Sequence, residues 1–313
     1  MSTAGPEAAW PRFGGADALR VPYEKARVAV LPVPYEGTVS YGKGTAAGPR
    51  AILEASAQLE MYDEELERCI DQWGIHTLPP VEPAGASPEQ MMERITQAAL
   101  EPLQAGKLLV TLGGEHSISF GVWRALQQVR GRPFSILQID AHADLRDSYE
   151  GSKHSHASVM ARAHELGLPF VQVGLRAVSE EERLFLRRQG LERNVYWAKD
   201  ICTAKDEEWI ADAAERLQGD VYLSVDIDGL DPALVPATGT PVPGGLGWYP
   251  TLKLLRRVCR RHPIVGMDLM ELAPQPGWHA CDFLAARLVF KMIGYAFQRV
   301  QRTDVEGDGE FRR

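Results

Sequence analysis

The sequence has few cysteines and no long apolar run, and both absences exclude whole classes of protein. Its 313 residues contain four cysteines, Cys69, Cys202, Cys259 and Cys281, without a CxxC pair. That scatter argues against a disulfide-stapled fold and against a zinc knuckle. No apolar stretch is long enough to span a bilayer, and the first residues lack the basic segment and apolar core of a secretory signal. We therefore expect a cytoplasmic protein with reduced thiols.

Positive charge is also scarce. The chain has 34 lysines and arginines against 42 acids, a net charge of −8, which argues against a nucleic acid or an anionic membrane as partner. The pair Gly113-Gly114 is not followed by a GxGxxG or GxxxxGK pattern, so nucleotide binding is also excluded.

Apolar, β-branched runs alternate with helical patterns along the chain. RVAVLPV precedes GPRAILEASAQLE, KLLVTL precedes SISFGVWRALQQV, and IVGMDL precedes CDFLAARLVFKMIGYAF. Such alternation predicts βαβ units, and therefore an α/β fold with helices on both faces of a mostly parallel sheet, a three-layer α/β/α sandwich. We expect one domain over residues 21–300, an N-terminal arm over 1–20 and a C-terminal tail over 301–313.

The stretch DAHAD carries the most chemical information. It follows the apolar run FSILQI, and Asp140, His142 and Asp144 alternate with alanines. A strand's two-residue period directs these three side chains to one spot. Two carboxylates and an imidazole so close together would be uncompensated without a cation. The stretch therefore predicts a metal site.

Two other predicted strands end in the same kind of residue. VYLSV ends at Asp226 and Asp228, which are again two residues apart, and KLLVTL is followed by GGEH with His116. In parallel sheets ligands collect beyond the carboxyl ends of the strands. We therefore expect these side chains to join the DAHAD residues.

Six ligands suit two adjacent divalent ions better than one. Four carboxylates and two imidazoles without thiolate favour Mn²⁺, with Ni²⁺, Co²⁺ and Fe²⁺ as alternatives. Four carboxylates and a bridging hydroxide leave two divalent ions about one unit negative, so the site prefers a cationic substrate. A single Asp-x-His is more often a loop or cap motif than a metal site. The segment DIDGLD is similar to the start of a calcium-binding loop, but Gly229 stands at its fourth position and an EF-hand loop needs glycine at its sixth.

These segments resemble the ureohydrolase family, which includes agmatinase and arginase. The matching stretches are GTVSYGKGTAAGPRAI, GGEHSIS, DAHADLRD, SHAS, SVDIDGLDPALVPATGTPVPGG and DLMEL, and the resemblance covers roughly residues 25–300. It implies that His116, Asp140, Asp144 and Asp226 hold one manganese ion, that His142, Asp140, Asp226 and Asp228 hold the other, and that trimers or hexamers form.

The resemblance also implies the reaction and the remaining site residues. Hydroxide generated by the metal pair would attack the central carbon of a guanidinium, giving urea and a primary amine. Glu271 would grip the guanidinium and His156, rather than the nearby His154, would carry protons. Asp144 counts among the catalytic residues as well as the ligands, and Thr240 is a candidate to support Glu271 or the substrate.

Substrate choice is less constrained. Arginases of this family carry an asparagine two residues after the third metal acid, where this chain has Arg146, so arginine is disfavoured. The pattern around Tyr41 and the SHA variant favour agmatine, with putrescine as product. Aminopropylagmatine, free guanidine and guanidinobutyrate stay open, the last because Arg146 or Lys153 could pair with its carboxylate. A metal-binding protein without activity, or a hydrolase of other C–N bonds, is the alternative from another class.

Overall fold

The apolar runs form a parallel sheet in the computed structural model, which describes residues 9–204 and 207–298. The strands are β1 (Val28–Val33), β2 (Tyr62–Asp63), β3 (Arg68–Cys69), β4 (Ile75–Thr77), β5 (Leu108–Gly113), β6 (Ser135–Ile139), β7 (Phe170–Leu175), β8 (Val195–Trp197), β9 (Val221–Asp226) and β10 (Ile264–Met270). Among the described residues, eight of them form one sheet in the order β4-β1-β5-β10-β9-β6-β7-β8, with every pair parallel. Strands β2 and β3 form a separate antiparallel hairpin.

Helices follow most of the strands, and two of them begin with a complete capping box. The Ser87 hydroxyl accepts from Gln90 N while the Gln90 side chain accepts from Ser87 N, and Ser179 and Glu182 repeat the arrangement. This exchange satisfies backbone donors that a helix start leaves without partners. The helices are α1 (Gly48–Ser56), α2 (Pro88–Gln104), α3 (Ile118–Arg130), α4 (Val159–Glu165), α5 (Glu180–Arg188), α6 (Ala198–Ile201), α7 (Glu208–Arg216), α8 (Trp248–Arg261) and α9 (His279–Ala296).

Alternate residues of each central strand pack into different layers. In β1, Val28 and Val30 join the core under α1, α7, α8 and α9, whereas Ala29 and Leu31 join the core under α2, α3, α4 and α5. The two-residue period of a strand therefore explains the two cores on opposite faces. This confirms the predicted three-layer α/β/α sandwich.

The order of the strands creates the site. Strand β6 is the next strand after β5 along the chain, yet β10 and β9 lie between these two strands in the sheet. Because all four are parallel, their carboxyl ends meet at one edge. Ligands bind at such edges in open α/β sheets.

Residues 9–20, which belong to the expected N-terminal arm, contact the body of the protein. Phe13 is buried and its N–H donates to Thr77 Oγ1, and Gly14 N donates to Ser56 Oγ. Residues 1–8 and the expected tail over 301–313 lie outside the described residues. Among the helices that the structure describes, none combines the length and the apolar character needed to cross a membrane.

Candidate active site

Four neighbouring strands deliver polar side chains to the same edge of the sheet. His116 follows β5, Asp140 begins the segment after β6, Asp226 is the last residue of β9, and Glu271 follows β10 directly. All four are buried, with exposed fractions of 7% or less. Carboxylates and imidazoles are buried in proteins when they are paired or bind a metal. The burial of these four side chains at one edge therefore indicates a paired or metal-binding cluster.

The first group of predicted ligands surrounds His116. Its Nδ1 lies 3.1 Å from Asp140 Oδ2, 3.4 Å from Asp144 Oδ2 and 3.3 Å from Asp226 Oδ2. Although it is buried, this nitrogen makes no hydrogen bond within the described part of the chain. A bare imidazole nitrogen among carboxylate oxygens is the donor set of a divalent metal.

The second group lies beside the first and shares Asp140 with it. His142 Nδ1 is 3.0 Å from Asp228 Oδ2 and 3.7 Å from Asp140 Oδ1. The ligand atoms of His142, Asp140 and Asp228 all lie within 4.8 Å of one another, as do those of the set His116, Asp140 and Asp226. Two clusters joined by one carboxylate match two ions with a bridging ligand, so the residues present fit a dinuclear metal site.

The electrostatics of the cluster call for positive charge. Burial raises the pKa of Asp226 well above its ordinary value, and the neighbouring Asp228 and Asp140 carboxylates add to this effect. Burial and the Asp140 charge likewise raise the pKa of Asp144 to about 7. Carboxylates this close ionise together only when a cation compensates them, and otherwise some of them keep their protons. Bound metal ions would provide that compensation.

A buried relay fixes the tautomer of His116. Its Nε2 lies 2.9 Å from Ser224 Oγ, which donates at 2.9 Å to Asp268 Oδ1. Since Ser224 gives its proton to the carboxylate, its oxygen accepts from Nε2–H of the imidazole. The lone pair of His116 is therefore on Nδ1, the nitrogen that faces the aspartates. Such outer partners orient the histidine ligands of metal sites.

Glu271 combines burial with a strained backbone. Its φ is 65°, in the left-handed region, and its Oε1 accepts from His116 N at 2.7 Å. Asp144 is also left-handed, with φ 54°. Non-glycine residues in this region concentrate at functional sites, where the fold holds them against their preference. Burial and the nearby Glu115 raise the pKa of Glu271 well above its ordinary value, so a cation beside it would be strongly favoured.

His156 faces the site and His154 does not. The His156 ring has Nδ1 3.4 Å from Thr38 Oγ1 and Nε2 3.4 Å from Ser40 Oγ. Burial lowers the pKa of His156 to about 4, so the imidazole is neutral at neutral pH. His154 instead stacks on Phe120 with a centroid separation of 5.3 Å. The two histidines are only two residues apart in the sequence, but their rings therefore lie in different surroundings.

These side chains surround a cavity of about 330 Å³. Thr240 lines it and places its hydroxyl 3.4 Å from Asp228 Oδ2. Arg146 lines it too, with its guanidinium 5.1 Å from the Tyr149 ring centroid. Tyr41, by contrast, is 81% exposed on the loop before α1. The lining residues are Ser40, His116, His142, Asp144, Arg146, Tyr149, His156, Ala157, Ala177, Val178, Ser179, Glu182, Asp226, Thr240 and Glu271.

Several residues that support the site were not singled out from the sequence. Gln138 donates to Asp140 Oδ2 at 2.6 Å from inside β6, and Ser224 and Asp268 support His116 from inside β9 and β10. Glu115 binds the loop that reaches His156. A polar residue that interrupts an apolar strand is the sequence feature that could have identified the first three.

Comparisons with known proteins find a family model, relatives and solved structures that are similar to this chain. The model of the arginase family matches residues 26–294. An N(1)-aminopropylagmatine ureohydrolase from Synechocystis sp. is 42% identical over 94% of this chain and 95% of its own length. An agmatinase from Pyrococcus horikoshii is 34% identical over 88% of this chain and 93% of its own length. The solved structure of the agmatine ureohydrolase of Thermoplasma volcanium has a TM-score of 0.81 and 30% identity, covering 94% of this chain and 97% of that one.

Proposed function

The chain belongs to the arginase family, whose ureohydrolases act on guanidino compounds, and we propose that it hydrolyses N(1)-aminopropylagmatine to urea and a triamine. The observation that carries the proposal is the cavity in which Glu271 lies beside the two groups of metal ligands. The substrate is taken from the Synechocystis relative, since its identity of 42% exceeds the 34% of the Pyrococcus agmatinase. Agmatine, which the sequence patterns favour, is the second candidate.

Two Mn²⁺ ions per chain are the proposed metals. His116, Asp140, Asp144 and Asp226 would hold one, and His142, Asp140, Asp226 and Asp228 the other. Hard carboxylate oxygens in the majority, with two imidazoles, support manganese over zinc. The metals would supply an activated water and offset the carboxylate charges.

Glu271 is proposed to bind the guanidinium of the substrate. A carboxylate accepts two parallel N–H bonds from a guanidinium, and 7% exposure leaves little water to compete. The backbone N–H of His116 holds one carboxylate oxygen at 2.7 Å, which fixes the direction of the side chain. Glu271 would therefore place the central carbon of the guanidinium against the metal ligands.

His156 is proposed to carry the proton that the reaction moves. The water oxygen forms a bond to the guanidinium carbon, the C–N bond to the amine breaks, and the departing nitrogen needs a proton. A neutral imidazole can take a proton from the attacking water and give it to that nitrogen. Thr240 is proposed to hold Asp228 in place through its hydroxyl.

A urea-release assay tests the function. We expect the Mn²⁺-loaded protein to release urea from aminopropylagmatine with kcat/KM about tenfold or more above agmatine, and far above arginine and guanidinobutyrate. Higher kcat/KM with agmatine would instead support the second candidate. Release of urea from none of these compounds would contradict the proposal.

A variant of Asp226 and a control variant of Asp231, five residues later, test the proposed metal ligands. Asp226→Asn is expected to lower bound manganese below two ions per chain and to reduce turnover by more than about 10³-fold, because it removes a charged ligand shared by both groups. Asp231→Asn is the matched control, since Asp231 binds backbone N–H groups of Gly244 and Gly245 rather than the cluster. Full metal content and turnover in Asp226→Asn would remove it from the metal site.

A further inference from the structure

Glu115 is a buried carboxylate that the proposed mechanism does not use. It receives four donors: Gly37 N and Thr38 N at Oε2, each at 2.6 Å, and the hydroxyls of Thr38 and Ser117 at Oε1, at 2.6 and 2.5 Å. A carboxylate that accepts from four groups is well satisfied, and it can only accept. The side chain therefore dictates where the Thr38 hydroxyl proton points.

The segment that leaves β1 is pressed against the end of β5. Glu115 N donates to Tyr35 O at 2.9 Å, and Gly114 N donates to Val33 O at 3.0 Å. A Cβ added at Gly114 would lie 2.0 Å from Tyr35 O, so only glycine permits this approach. The loop from Gly37 to Gly44 is consequently held at its base, and Glu115 determines the position of its first residues.

Thr38 connects this carboxylate to His156. Its oxygen accepts from His156 N at 3.1 Å and lies 3.4 Å from His156 Nδ1. Because the Thr38 proton is donated to Glu115, the oxygen acts toward the ring as an acceptor, which favours a proton on Nδ1. Nε2 then keeps its lone pair beside Ser40, a residue of the cavity wall.

We infer that Glu115 is a positioning residue that acts through Thr38. It holds the His156 imidazole at the cavity in the tautomer whose Nε2 accepts and returns the proton of the reaction. This inference rests on the proposed function and on the role proposed for His156. It assigns to Glu115 a part in proton transfer beyond the anchoring of a loop.

A double-mutant cycle with His156 tests the inference. Glu115→Gln turns an amide N–H₂ toward some of the four donors, so we expect kcat to fall about tenfold with KM changed less than threefold and with two manganese ions still bound. In a His156→Ala background the same substitution should lower kcat less than twofold, because its effect passes through the imidazole. A tenfold loss in both backgrounds, or loss of metal from Glu115→Gln, would overturn the inference.

The loop itself supplies the matched control. Glu36 ties the far end of the same loop by accepting from Gly44 N, Thr45 Oγ1 and Ala46 N. If loop anchoring alone matters, Glu36→Gln and Glu115→Gln should each lower kcat by the same factor in the wild-type and the His156→Ala backgrounds. We expect this independence from His156 for Glu36→Gln only.

Thr38 variants keep the test decisive if Glu115→Gln does not fold. Thr38→Val removes the hydroxyl and should reproduce the tenfold loss and the cycle with His156, while Thr38→Ser restores the hydroxyl and should restore kcat. Equal activity of the valine and serine variants would contradict the inference. Urea release by the wild-type protein is measured first, so failure of the proposed function would be recognised before either cycle is interpreted.

Discussion

Ser224 is the residue whose replacement should distinguish the two proposed metal sites by their affinities. Its hydroxyl is fully buried in β9, 2.9 Å from His116 Nε2 and 2.9 Å from Asp268 Oδ1. Ser224→Ala removes the acceptor that keeps the His116 proton on Nε2. The proton can then move to Nδ1, the nitrogen that must be bare to bind metal. We expect weaker binding at the site that contains His116 and unchanged binding at the site that contains His142.

The size of the expected loss in metal affinity follows from the role of Ser224 as the hydrogen-bond partner of His116. Loss of an outer partner of a ligating histidine lowers metal affinity by about 10- to 100-fold, which corresponds to roughly 1.4–2.7 kcal/mol. The variant also leaves the buried Nε2 atom of His116 without its hydrogen-bond partner in either tautomer, at a cost of about 1–3 kcal/mol in the free energy of unfolding of the metal-free protein. Asp268 keeps the bonds from Ser119 Oγ at 2.8 Å and Val225 N at 3.2 Å, so its own loss is smaller.

Competition with a manganese chelator, followed by a fluorescent indicator, measures the two affinities separately. Ser119→Ala is the matched control, because the Ser119 hydroxyl also donates to Asp268 but is not hydrogen-bonded to the His116 ring. The backbone bond from Ser119 N to His116 O is kept in this variant. It should change either affinity less than threefold. Equal weakening of both sites by Ser224→Ala, or the same effect from Ser119→Ala, would refute the relay.

Four further substitutions, of which Arg287→Met serves as a control, probe other parts of the molecule. Glu271→Gln should lower kcat/KM by roughly 10²- to 10³-fold with full metal content, because it removes the charge that pairs with the guanidinium; an unchanged value in steady-state kinetics would contradict that role. Lys291→Met should lower the free energy of unfolding by about 3–5 kcal/mol in urea denaturation, since it leaves the buried Asp63 carboxylate, 3.0 Å away, without its cation. Arg287→Met, which breaks a more exposed pair, should cost less than about 1 kcal/mol. Burial lowers the pKa of His154, so the unfolded chain binds more protons and stability falls as pH drops below about 6.5; His154→Gln should therefore show a smaller loss of stability between pH 7 and pH 5.

The proposed ligand residues could be singled out because they form short local patterns at strand ends. Asp140, His142 and Asp144 follow β6, and Asp226 and Asp228 stand at the end of β9, so the alternating pattern marks them as candidates. Their convergence needs more than the period of a strand, because Asp144 is left-handed with φ 54° and Asp228 lies in the 3-10 turn Ile227–Gly229. The structure places Asp140, Asp144 and Asp226 within 3.4 Å of His116 Nδ1, and it places Asp228 3.0 Å from His142 Nδ1. The layers of the fold also followed from a local pattern, the alternation of strands and helices.

The order of the strands could not be read from local patterns. That β10 and β9 lie between β5 and β6 depends on how helices pack on the two faces, which no short segment encodes. Without that order, Glu271 could be assigned to the site only by family resemblance. The short strands β2, β3 and β4 were missed because two or three residues show no measurable period.

The polar residues within the strands carry the remaining information. Gln138 and Ser224 are buried in the middle of apolar runs, where each must have a hydrogen-bond partner or cost several kcal/mol. Gln138 bonds to Asp140 and Gln172, and Ser224 bonds to His116 and Asp268. Asp140 and His116 are two ligands of the proposed metal site. If these positions only had to fill a core, apolar residues would suit them better. Replacing both hydrogen-bonding partners by apolar groups removes the cost of desolvating each of them. The interruptions therefore belong to the site rather than to the fold, and a polar residue at the centre of a buried strand is a reason to look for a ligand at that strand's end.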